Sequence, residues 1–183
     1  MSIPRVAHLP VEAQALLILL CGLAVVWDLR SRRIPNWLCL CAALAGLLWN
    51  ALAPEGAGWL AGLEGLGTGF ALYLPLYILR ARGAGDVKLL AAAGAIVGPA
   101  NCFWLFLYAS VAGGVVGLGL VAVKGRVGKT LFNVAWIVRE LAHFRAPHKS
   151  SPELDVRATE GLRLPHAIPV ALGAIALMVA EAR

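Results

Sequence analysis

Charge is scarce in this chain: only 14% of its 183 residues are Asp, Glu, Lys or Arg, against roughly 25% in a soluble domain. With 60% hydrophobic residues and a mean hydropathy of +0.79, that scarcity excludes a water-exposed surface over most of the chain and points to membrane spans. Cysteine is also sparse. Cys21, Cys39, Cys41 and Cys102 lie in or beside apolar stretches, and no C-x-x-C pair is present to form a zinc site or a redox dithiol. They read as small buried packing residues. Period-two alternation is missing, which excludes a barrel and leaves helices to satisfy the backbone in lipid. Ser31, Ser110, Ser150 and Ser151 have no histidine at a suggestive spacing, and the four histidines are dispersed. A serine or metal hydrolase is therefore a poor fit, and the residues imply no metal and no cofactor.

What charge there is leans basic, with a net +6 and a sequence pI near 9.6. In so apolar a chain this excess marks cytoplasmic loops rather than a nucleic-acid surface. Apolar runs predict helices at about Val11 to Leu29, Asn36 to Ala53 and Gly58 to Leu79. The stretch from Val87 to Val123 is too long for one span, since about 37 helical residues reach roughly 55 Å. Gly98-Pro99-Ala100-Asn101 is its natural breaker. That predicts spans at about Asp86 to Val97 and Cys102 to Val123, with a sixth from about Leu164 to Ala180. The fold expected is all-α: one domain over residues 1–183, a polytopic membrane protein with a bundle of six transmembrane helices. The first span ends in Asp28-Leu29-Arg30 rather than an Ala-x-Ala site and reads as a retained helix.

Collecting Arg30, Arg32, Arg33, then Arg80 and Arg82, then the loop 124–163 on the cytoplasmic side puts both termini on the other face. Within that loop, Leu131, Val134, Val138 and Leu141 oppose Lys129, Asn133, Glu140 and His143, predicting one cytoplasmic amphipathic helix on the lipid surface. Gly62, Gly67 and Gly69, and Gly113, Gly114, Gly117 and Gly119, read as close-packing positions between helices. Trp27, Trp37, Trp49 and Trp59 near span ends read as interfacial anchors.

Two acids stand out against this background. Asp28 ends the first span and Asp86 opens the fourth, both at the cytoplasmic edge. A charge at such a depth is costly without a cavity or partner, which makes each a candidate functional group. Gly83 and Gly85 before Asp86 suggest a backbone able to take positive φ and approach another chain. Lys88 reads as a snorkelling side chain. Pro35 fits the start of the second helix and Asn36 can bond nearby backbone, holding Asp28 at a fixed height in a tight hairpin. Paired carboxyls can share one proton, one taking a proton from water and the other giving one to a carbonyl oxygen. Helix polarity makes Asp86 the base and Asp28 the acid. A rival from another class is a small transporter or pilus or secretion assembly subunit that uses membrane-edge acids to bind a proton or cation.

Asp28 with Arg32-Arg33-Ile34-Pro35-Asn36 after it, then Gly83-Ala84-Gly85-Asp86-Val87-Lys88, then Arg163-Leu164-Pro165-His166-Ala167-Ile168-Pro169, resembles the type IV prepilin peptidase family of GxGD membrane aspartyl proteases. His166 stands at the family's usual aromatic position. The resemblance implies an inner-membrane endopeptidase whose catalytic pair is Asp28 and Asp86, with Gly83, Gly85, Lys88, Pro35, Asn36, Pro165 and His166 as substrate-binding or supporting residues. It implies prepilin-like membrane proteins as substrates, cut at the cytoplasmic face just before their hydrophobic segment, the lipid bilayer as surroundings, and no nucleic acid. Larger members carry an insertion with paired C-x-x-C motifs linked to N-methylation. Only Ser31 to Pro35 separates the first two spans here, so the likeness is to the short forms of Flp or tight-adherence pilus systems.

Overall fold

The computed structural model of this chain describes residues 6–79, 83–123 and 167–182. The expected amphipathic helix of the 124–163 loop, and Pro165 and His166, lie outside these described residues. Every regular element among them is an α-helix: α1 Val11–Ser31, α2 Asn36–Leu52, α3 Trp59–Ile78, α4 Ala84–Val123 and α5 Ala167–Glu181. The predicted ends fall within a few residues of these.

The expected count of six separate spans is not found. The fourth and fifth predicted helices are one element, α4, whose helical backbone is interrupted at Gly98 alone (φ 76°, ψ 174°). A glycine reaches that positive φ at little cost, and Pro99 cannot continue the hydrogen-bond ladder, so the break needs one residue instead of a loop. The bend is sharp. Cys102 Sγ lies 2.9 Å from where a Cβ on Gly94 would stand, whereas eight residues of straight helix span about 12 Å. By length and composition α1 and the stretch Ala84–Leu120 are apolar enough to cross a membrane. α2 and α5, at 17 and 15 residues, are apolar but short, and α3 dilutes its apolar character with Glu64, Thr68 and its glycines. These helices suggest a membrane protein.

The first arm of α4 is the core. From residue 89 to 98 every position is buried, and a helix apolar on all sides needs neighbours all round. α2, α3, α5 and α1 supply them. α3 approaches through a glycine face, Gly62, Gly65 and Gly69, with Tyr73 at its end. A Cβ on Gly65 would strike Gly94, and one on Gly69 would come within 2.5 Å of the Leu90 carbonyl. In lipid, where water supplies no drive between helices, such backbone contact carries much of the attraction. Four of the glycines expected to pack do not do so among the described residues. Gly67, Gly114, Gly117 and Gly119 meet nothing within 4 Å in this chain, because they fall on outward helix faces. Cys21, Cys39 and Cys102 are buried as expected, but Cys41 is exposed, since residues two positions apart on a helix such as α2 do not share a face.

Two asparagines secure the bend. Asn50 Nδ2 donates to the Ala95, Ile96 and Gly46 carbonyls at 3.0, 3.2 and 3.1 Å. Ala95 loses its usual partner because Pro99 has no N–H, so Asn50 fills the vacancy. Asn101, just past the bend, pairs with both the N–H and the carbonyl of Ala7. Nearby, Glu181 of α5 binds His8 Nδ1 at 2.6 Å and the Leu9 amide at 2.8 Å, clasping the ends of α1 and α5 together.

Candidate active site

The buried stripe of α1 runs Ala13, Leu17, Leu20, Cys21, Ala24, Asp28. These steps of three and four residues make one helical face, so the carboxylate of Asp28 sits where the next apolar core residue would. It is 8% exposed, and Asp86 is 3% exposed. A buried carboxylate costs several kcal/mol unless it gains polar contacts. Asp28 has one of known origin: the Ala167 amide, the first of α5, donates to Asp28 Oδ2 at 3.0 Å.

Asp86 is the third residue of α4, and its amide closes the opening turn onto the Gly83 carbonyl at 3.2 Å. An acid in the first turn complements the helix dipole. Gly83 and Gly85 do not take positive φ; among the described glycines only Gly58 and Gly98 do. The reason is that α4 already begins at Ala84, which gives Gly85 helical angles. A Cβ there would stand 3.6 Å from Ile34, an ordinary contact. Asp28 lies in the last turn of α1, as expected, but it also faces a helix N-terminus, that of α5, whose polarity opposes that of the α1 end.

The two aspartates, 58 positions apart in the chain, line one cavity of about 270 Å³, against roughly 30 Å³ for a water molecule in the liquid. Arg32, Arg33, Ile34, Asn36, Gly83, Ala84, Gly85 and Lys88 complete its wall. Lys88 is exposed, and its Nζ donates to Asn36 Oδ1 at 2.9 Å, joining α4 to α2. Pro35 stands immediately before α2 at φ −63°, the angle its ring imposes.

Three contributions were not singled out as site residues from sequence. Arg32 and Arg33 served there to orient the loops and as part of the motif after Asp28, and both line the cavity. Arg32 is also the only non-glycine residue with positive φ among those described (52°), closing α1 through its amide to the Asp28 carbonyl. Such a conformation costs an L-residue about 1 kcal/mol and is often found at functional sites. The third, the Ala167 amide, carried no side-chain signal. It is next in sequence to His166.

The sequence model of the type IV leader peptidase family matches residues 15–118, more than half of the chain. That stretch contains both aspartates and the whole of the described cavity wall. No curated protein and no solved structure matches the chain.

Proposed function

This chain belongs to the type IV leader peptidase family, and from that membership we propose that it is an aspartic endopeptidase of the bacterial inner membrane that removes the leader of prepilin-like membrane proteins at the cytoplasmic face. The observation that carries the aspartic mechanism is the shared cavity of Asp28 and Asp86.

In this mechanism the two carboxyls hold one proton between them and a water molecule in the cavity. The carboxylate takes a proton from that water as its oxygen bonds to the scissile carbonyl carbon. The protonated partner gives its proton to the carbonyl oxygen, so the tetrahedral intermediate is a neutral diol. Collapse of the diol breaks the C–N bond, a carboxyl protonates the leaving amine, and the other recovers a proton from the diol hydroxyl. No covalent link to the enzyme forms, and the pair acts as a unit. The absence of C-x-x-C motifs from the sequence gives no support to a methyltransferase activity.

The test is cleavage by purified enzyme of a co-expressed prepilin-like protein, scored as leader loss by mass. Asp28→Asn and Asp86→Asn should each lower turnover at least about a hundredfold while the protein still melts cooperatively. Near-normal turnover in either variant overturns the dyad.

A further inference from the structure

Against the aspartate cavity lies a second, larger one of about 560 Å³. Leu40 and Ala43 of α2, Leu66 and Phe70 of α3 and Ala91 of α4 line it. Leu40 and Phe70 are 62% and 45% exposed, so the groove opens outward on a face of apolar side chains. Asn36 and Lys88 belong to both cavities. The hydrogen bond between them is thus the partition between an apolar groove and two carboxylates.

We infer that this groove between α2, α3 and α4 seats an apolar helical segment of the substrate adjoining the scissile bond, and that Asn36 and Lys88 mark where the chain leaves the groove for the aspartates. The inference rests on the proteolytic reading of the aspartate cavity. Its walls offer polar groups only at the shared end, so a backbone lying along the groove must satisfy its own hydrogen bonds, as a helix does. A bond to be cut must be free of that ladder. The helix therefore has to end at the partition, and the first N–H groups of a helix need outside acceptors. Asn36 Oδ1, now held by Lys88, is an acceptor at that point. A lipid fits less well, because its phosphate at Lys88 would sit beside the negative charge that the Asp28 and Asp86 pair carries.

Two probes in proteoliposomes separate the possibilities: a membrane-anchored prepilin-like protein, and a water-soluble peptide with the same residues around its scissile bond but no apolar helix. Ala43→Trp, which fills the groove, should lower the ratio of kcat/KM for the anchored probe to that for the peptide about tenfold. Leu48→Trp, on an exposed face of α2 outside the groove, should leave the ratio near that of the unaltered enzyme. An unchanged ratio in Ala43→Trp overturns the inference. Should Ala43→Trp fail to fold, a photoreactive side chain at Leu40 decides the matter. Crosslinking to the apolar segment of the anchored probe is expected; crosslinking to lipid alone overturns the inference. The crosslink needs no turnover, so it is read independently of Asp28→Asn and Asp86→Asn, whose activity tests the proteolytic reading itself.

Discussion

The first backbone N–H of α5 is held by a side chain of α1: Ala167 N lies 3.0 Å from Asp28 Oδ2. One end of the last helix thereby orients a carboxyl of the cavity, while Glu181 ties the other end to His8 and Leu9. The start of α5 thus belongs to the site through its backbone.

Ala167→Pro deletes that N–H at the first helical position, where proline's φ is suited. A hydrogen bond to a charged group is worth about 1.5–3 kcal/mol, so kcat should fall about tenfold or more. Ala167→Gly retains the amide and should keep most of the rate. Steady-state kinetics on the two variants, with thermal unfolding as a control, checks the expectation.

Asn50→Leu leaves the Ala95 and Ile96 carbonyls buried without their donor. Each such loss costs about 1–3 kcal/mol, and the bend at Gly98 should loosen. A lower unfolding temperature in detergent, with faster amide exchange around 95–101, is the expected result.

The glycines divide by what a methyl group would meet. Gly65→Ala drives a Cβ into the Gly94 backbone and should cost about 3 kcal/mol, as overpacking does. Gly85→Ala meets only Ile34 at 3.6 Å and should stabilise the first turn of α4 by about 0.5–1 kcal/mol. Unfolding measurements on the pair should show opposite signs. If Gly85→Ala folds but loses activity, the substrate backbone passes close to that position.

Arg32→Gly relieves the positive φ and should stabilise the protein by about 1 kcal/mol. Arg32 lines the aspartate cavity, so the same variant should raise KM. Stability and KM measured together separate a mere helix terminator from a residue that meets substrate.

Much was legible in the sequence because it is set locally. Helix positions follow from apolar runs between Pro, Gly and charged residues, and the ends of α1, α2 and α3 fall close to where those signals stand. Asp28 and Asp86 were identifiable because a carboxyl is conspicuous in so apolar a chain. Local signals also located the break near Gly98. They could not tell a loop from a one-residue bend, since that depends on Asn50, 45 positions from Ala95, satisfying the carbonyls the break releases.

The sequence by itself determined a helical, apolar chain with two carboxyls at helix ends and glycines enough for close packing. Tertiary structure alone decided which glycines are used: in α3, Gly62, Gly65 and Gly69 face the core while Gly67 meets nothing, and Gly46 of α2, Gly94 of α4 and Gly173 of α5 are packed against neighbouring helices. It also paired Lys88 with Asn36 and Asp28 with the Ala167 amide. Periodicity names the face a residue occupies, whereas a hydrogen bond between helices depends on their axial register, which is set by the packing of every other contact along them.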